Sequence, residues 1–255
     1  MILTIDIGNT NITLGVFDGD KLIFTSRLAT DTRRTEDQYA LELQNILILH
    51  DCPRSDIEGV IVSSVVPHVG AIVSRAIEIL LGYTPMILGP GIKTGLNIKI
   101  DNPAQLGADL AAAAVAAIVK YPLPCIIFDL GTATTISVVD KNGAFLGGAI
   151  AAGLNTTLEA LATRTAQLPF IDINAPKSVI GSNTIDSMKS GLILGAASML
   201  EGMAARIEKQ LGERATLVAA GGLAAKVVAE CERKIILDDN LLLDGLLIIY
   251  NKNKK

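Results

Sequence analysis

The chain has 255 residues, of which 50% are hydrophobic, with a mean hydropathy of +0.46 and a formal net charge of −4. That length accommodates one large domain or two small ones around a real core, and a mildly acidic chain without a basic stripe or interleaved aromatics is a poor nucleic-acid binder. The longest apolar stretch, residues 110–119, is too short to span a bilayer and its alanines suit a tightly packed core helix, so no membrane role is expected.

The N-terminal run Ile2-Leu3-Thr4-Ile5 reads as a buried strand, and Asp6 interrupts it too early for a signal peptide, which points to a cytoplasmic protein. The turn Asp6-Ile7-Gly8-Asn9-Thr10 follows, then a β-rich run, Thr13-Leu14-Gly15-Val16-Phe17. Asp18-Gly19-Asp20 has hairpin chemistry and predicts a third strand over 21–28. Thr35-Glu36-Asp37-Gln38 has the form of a capping box, and Tyr39, Leu41, Leu43, Ile46 and Leu47 continue it with helical spacing. A buried strand is expected over 59–64, a helix over 73–81 and a strand over 85–88 closed by Gly89-Pro90-Gly91. Residues 94–105 read as loop; Asn102-Pro103 supplies an N-cap and a first-turn proline for a helix running to about Val119. Residues 121–124, with two prolines, read as a hinge.

The second half repeats the plan. Cys125-Ile126-Ile127-Phe128 leads into Asp129-Leu130-Gly131-Thr132-Ala133, and Thr135-Ile136-Ser137-Val138-Val139 leads out. A Gly-Gly turn is expected at Gly147-Gly148, helices from about Leu154 and over 184–211, a strand at 217–219 and a further helix after Gly221-Gly222. The Lys-rich end, from Lys252 on, reads as a frayed tail. Cys52, Cys125 and Cys231 are far apart and odd in number, and His50 and His68 are isolated, so neither a disulfide framework, a zinc site nor a His-based triad is expected.

Two strand–Asp-x-Gly–strand units half a chain apart suggest a duplication, and two such turns suit a nucleoside triphosphate. Glycine lets phosphate oxygens approach the main chain without a Cβ in the way, and consecutive backbone N–H groups form an anion-binding nest. Asn9, Thr10 and Thr132 add neutral donors. The aspartate at each strand end is too close to phosphate to touch it directly and should act through a cation or its waters.

With these loops in this order, the chain resembles the actin, Hsp70-type chaperone and sugar-kinase superfamily, and along almost its whole length it is similar to type III pantothenate kinases. The stretches that carry the likeness include Ile5-Asp6-Ile7-Gly8-Asn9-Thr10-Asn11, Ser64-Val65-Val66-Pro67, Asp101-Asn102-Pro103, Gly107-Ala108-Asp109, Ile180-Gly181-Ser182-Asn183-Thr184 and Gly221-Gly222-Leu223-Ala224. The resemblance implies duplicated RNase H-like α/β domains over 1–120 and 121–255, each a mixed five-stranded sheet flanked by helices, with the nucleotide cleft between them. It implies ATP-dependent phosphorylation of pantothenate, the first step of coenzyme A biosynthesis. The loop Asp6, Ile7, Gly8, Asn9, Thr10, Asn11, Ile12, Thr13 would cradle the ATP phosphates, with Asp6 near Mg2+; Thr132 would bind phosphate; Asp129 would help hold K+ or NH4+. Asp109 would be the catalytic base, and Ile100, Gly107, Ala108, Asp109, Leu110 and Thr184 would line the pantothenate site, with Thr184 offered across a homodimer interface.

The chain also departs from the family pattern. Leu110 stands where the family has arginine, Ile100 where it has tyrosine, Gln105 where it has glutamate, and Ala220 where it has threonine. Leucine offers no donor to a substrate carboxylate. A second reading therefore stays open: a nucleotide-binding paralogue with weak or lost activity, acting on another small hydroxyl substrate or as a regulator.

Overall fold

The computed structural model describes residues 1–254. The chain divides into two compact units: unit 1 holds residues 1–95, 102–116 and the segment from 241 onward, and unit 2 holds 96–101 and 117–240.

In unit 1, β1 (Ile2–Ile7), β2 (Asn11–Asp18) and β3 (Lys21–Ala29) form an antiparallel meander, followed by α1 (Glu36–Leu49), β4 (Gly59–Ser64), α2 (Pro67–Leu81) and β5 (Met86–Ile87). The sheet order is β3-β2-β1-β4-β5, with β4 and β5 added in parallel. Next come β6 (Asn97–Ile98), α3 (Ala108–Lys120), β7 (Cys125–Leu130), β8 (Ala133–Val139), β9 (Ala144–Ala152), α4 (Leu154–Arg164), α5 (Thr184–Leu211), β10 (Thr216–Ala220), α6 (Ala224–Val228), β11 (Ile236–Leu237) and α7 (Leu241–Asn253). In unit 2 the order β9-β8-β7-β10-β11 repeats that of unit 1, with the same antiparallel and parallel pairings. Even the irregularity recurs, between Val16 and Phe17 in one meander and between Val138 and Val139 in the other. The second sheet has six strands rather than five, because β6 pairs in parallel with β9.

Alternation along the strands assigns the faces of the first sheet. Leu3, Ile5 and Ile7 of β1, with Val60 and Val62 of β4, join one core with Tyr39 and Leu43 of α1 and Val73 and Ile77 of α2. The intervening residues face the other side, where α7 lies: Leu243 and Leu247 pack with Phe17 and Ile2. Gly245 lets α7 settle against α3, since a Cβ there would overlap the Ala112 carbonyl.

The structure departs from several expectations. Gly147-Gly148 is not a turn but the middle of β9; a Cβ on Gly148 would overlap the Ile136 carbonyl, so glycine marks a close approach of two strands. Asn102-Pro103 opens only a 3-10 turn, Pro103–Gln105, and the α-helix restarts at Ala108. The helix expected over 73–81 begins earlier, with Pro67 as its first residue. The tail is tied down rather than frayed at Lys252 and Asn253: Lys252 Nζ donates to Thr94 O (2.9 Å), and Asn253 Nδ2 donates to Lys93 O (2.9 Å) while its Oδ1 accepts from Lys93 N (3.0 Å). Residues 121–124 lie wholly in unit 2; the chain passes between units inside α3, at 116/117. Among the described residues no helix is long and apolar enough to cross a membrane.

The packing gives a direct test. Gly245→Ala should lose about 1–3 kcal/mol, as overpacking does, in a urea melt. Gly202→Ala in α5, where a Cβ meets nothing within 4 Å, should gain up to about 1 kcal/mol from helix propensity.

Candidate active site

The first glycine turn links β1 to β2. Gly8 N donates to Asn11 O at 3.0 Å, and a Cβ on Gly8 would sit 3.1 Å from that oxygen. Asn9, Thr10 and Asn11 are exposed, whereas Ile7 and Ile12 are in the core. Within the expected nucleotide loop, therefore, the side chains of Ile7 and Ile12 anchor and the intervening residues present donors. Sequence reasoning missed the strap that fixes this loop from behind. Thr30 Oγ1 donates to Gly8 O (2.7 Å) and Thr30 N donates to Thr10 O (2.9 Å). The buried Tyr39 hydroxyl then holds Asp31, donating to its carbonyl and accepting from its N–H, both at 3.0 Å. The capping box at Thr35 and Gln38 is formed as expected, and it starts the helix that carries Tyr39.

Asp6 pairs with Thr13 on β2 and with Ser63 on β4. These three side chains share the sheet face that α7 covers, and α7 packs against α3. The register therefore brings Asp6 to the side of the sheet where Asp109 sits, in the first turn of α3. Asp109 is half-buried, and Leu110 N donates to its Oδ1 at 2.8 Å. A Cβ at 107 would overlap this carboxylate where it stands, so a side chain there would force the carboxylate to shift. Burial pushes the Asp109 carboxyl above its ordinary value, outweighing the backbone N–H groups of Leu110 and Asp109 that pull it down. Ala108 and Leu110 flank it on α3; Ile100, in unit 2, packs near Gly147, where a Cβ would lie 3.4 Å from it.

In unit 2 the second turn is built alike. Gly131 N donates to Ala133 O (3.1 Å), and the exposed Thr132 offers its carbonyl to Gly153 N (3.1 Å) and Thr156 Oγ1 (2.7 Å), tying the turn to the start of α4. Gly153 itself has no room for a Cβ, which would sit 2.6 Å from Thr132 O. Asp129, the last residue but one of β7, lies beside the Gly221-Gly222 turn: a Cβ on Gly221, whose φ is +103°, would lie 2.8 Å from Asp129 Oδ1. Across the ladder from Asp129 stands Thr135, whose buried Oγ1 has no hydrogen-bond partner among the described residues. The pairing brings a carboxylate and a hydroxyl to one face of the second sheet.

Thr184 is the first residue of α5, but the cap is Asn183, whose Oδ1 accepts from Asp186 N at 2.9 Å. The Thr184 hydroxyl is thus not needed to cap the helix, and it lines a 560 Å³ cavity with Thr157, Leu161, Leu168, Ser187 and Met188. Close by in sequence, Val179 and Ile180 are 74% and 85% exposed.

The raised Asp109 pKa makes its contribution to stability fall as pH rises. Because the folded protein favours the acid form, ionisation costs stability; that cost vanishes below the unfolded pKa of about 3.9 and is complete above the raised folded value. Asp109→Asn should therefore melt at higher urea than the wild type at pH 8, with the gap closing towards pH 4.

A sequence model of the type III pantothenate kinase family matches residues 2–206. A type III pantothenate kinase from Halalkalibacterium halodurans is 44% identical over 253 residues, covering 99% of this chain and 100% of that protein. Among solved structures, a conserved putative Baf family transcriptional activator from Campylobacter jejuni superposes with a TM-score of 0.65 at 18% identity, covering 98% of each chain. The activator of 2-hydroxyisocaproyl-CoA dehydratase from Clostridium difficile, with bound ADPNP, does so with a TM-score of 0.54 at 18% identity, covering 100% of this chain and 98% of that one. At such identities the two structures speak for the actin-like ATPase fold alone.

Proposed function

The chain belongs to the type III pantothenate kinase family, and on that premise we propose that it transfers the γ-phosphoryl group of ATP to the primary hydroxyl of pantothenate with Asp109 as the base. The observation that carries this reading is the family match along the full length of the chain. The paralogue reading, with turnover weak or lost, rests on the departures at Leu110, Ile100, Gln105 and Ala220 alone, and the relatives give it no support.

Phosphoryl transfer asks a protein for alignment, charge neutralisation and a base. Asp109 suits the last of these, because burial raises its affinity for a proton and it can accept the hydroxyl's hydrogen as the oxygen attacks. The pantothenate hydroxyl would lose that proton, the γ-phosphorus would form its bond to the oxygen, and ADP would leave. The Gly8 turn, with Asn9, Thr10, Asn11 and Thr13, would hold ATP phosphates, and Thr132 would bind phosphate from its own turn. One carboxylate with phosphate oxygens and waters is an ordinary Mg2+ ligand set, and Asp6 is the residue for it. When bound, the metal neutralises developing phosphate charge. Asp129 with the unpartnered Thr135 hydroxyl would hold K+ or NH4+.

Gly107, Ala108 and Leu110 would form the pantothenate side next to Asp109, with Ile100 and Thr184 as further contacts. Leu110 replaces a guanidinium by a purely apolar wall, so affinity for the substrate carboxylate has to come from elsewhere. A homodimer would bring Thr184 to a neighbouring subunit, and the exposed Val179 and Ile180, a few residues before α5, would lie near that contact. We place the enzyme in the cytoplasm.

A coupled ADP-release assay with Mg2+ and K+ tests the reading. Wild-type protein should release ADP only when pantothenate is present, and Asp109→Asn should lose about 10²–10⁴-fold in rate. Absence of pantothenate-dependent release by the wild type would overturn it. Replacing K+ by Na+ should lower the rate if Asp129 holds the cation. Ile180→Asp should shift the protein from dimer to monomer in light scattering.

A further inference from the structure

Ser63, the last residue but one of β4, is fully buried, at 0% exposure, and its Oγ has no hydrogen-bond partner among the described residues. Buried hydroxyls are almost always bonded, and an orphan calls for an explanation such as a water or an ion. Its neighbours show the usual pattern. Ser64 Oγ donates to Val66 O (3.0 Å) and accepts from Val66 N (3.1 Å), while Thr4 Oγ1 donates to Gly15 O (3.2 Å).

Packing does not demand a hydroxyl here. The duplicated sheet offers an internal comparison, because the residue paired with Asp129 on the corresponding parallel strand is Ala220. A methyl group suffices at that ladder position in unit 2. In unit 1 the same position, paired with Asp6, carries an oxygen. Paired residues in a parallel ladder project to one side of the sheet, so the Ser63 hydroxyl lies on the Asp6 face. Thr13 flanks Asp6 on the opposite strand.

We propose that Ser63 is a positioning residue of the nucleotide site, its hydroxyl holding a water in the coordination shell of the divalent cation at Asp6. This rests on the reading that Asp6 faces the metal, and not on the identity of the phosphoryl acceptor. Mg2+ surrenders its waters reluctantly, so most of its ligands remain waters that the protein must orient. Groups that orient them from behind the direct ligands are worth 10- to 100-fold in metal affinity or activity. A buried serine whose hydroxyl has no hydrogen-bond partner among the described residues is available for that role.

Calorimetric titration with ADP, with and without Mg2+, tests the assignment without any turnover. Ser63→Ala should bind ADP alone as the wild type does, yet bind ADP in Mg2+ roughly tenfold more weakly. Ser63→Thr, which keeps the hydroxyl, should recover part of the Mg2+ effect. The melting temperature of Ser63→Ala should equal or exceed that of the wild type, because no bond within the chain is lost. Equal weakening with and without Mg2+, no weakening at all, or a marked drop in melting temperature would each overturn the proposal. If the Mg2+-specific loss is found while pantothenate gives no ADP release, the acceptor is wrong and the role of Ser63 stands.

Discussion

The two-residue period of β1 sets the terms for unit 1. Leu3, Ile5 and Ile7 go into the core beneath α1 and α2, and so Thr4 and Asp6 must turn to the opposite face. A slip of one residue would exchange these sets and put a carboxylate among isoleucines. The three buried hydrophobics thus aim Asp6 as firmly as any hydrogen bond. The same face carries α7 and, through Gly245, α3 with Asp109. An acidic residue in a strand and another in a helix some hundred positions later reach one side of a sheet because the apolar residues around them have nowhere else to go.

Glycine governs the second level of organisation. At 107 it clears space for the Asp109 carboxylate, at 153 it lets α4 begin against the Thr132 carbonyl, and at 221 it turns with positive φ beside Asp129. In each case the neighbour is a carboxylate of the candidate site or the turn expected to meet phosphate. At 153 and 221 backbone carbonyls already occupy the space of a Cβ, whereas at 107 a Cβ would push the Asp109 carboxylate aside. By contrast, the glycines at 195 and 202 in α5 stand in open space, and no such argument applies to them.

Much of this was legible in the chain. The two Asp-x-Gly turns stood out because each is bracketed by strand-forming runs, and the repeated strand order β3-β2-β1-β4-β5 in unit 1 and β9-β8-β7-β10-β11 in unit 2 is the duplication they signalled. Gly147-Gly148 misled because two adjacent glycines normally punctuate; here a neighbouring strand approaches too closely for side chains. The short strands β6 and β11, two residues each, have too few positions for any periodicity. Thr30 and Ser63 carry no motif of their own. What distinguishes them is a cross-strand or loop partner, and partners of that kind are fixed only by the register.

The placement of α7 has a consequence for how the protein comes off the ribosome. Domains commonly fold in the order in which they are made. Here the first sheet must wait for its covering helix, which begins at Leu241, while most of unit 2 is continuous over 117–240. The emerging chain therefore has its internal unit complete before its first one. Through the whole of that interval the Asp6 face of the first sheet lacks its roof, and a segment made after unit 2 closes a sheet made before it.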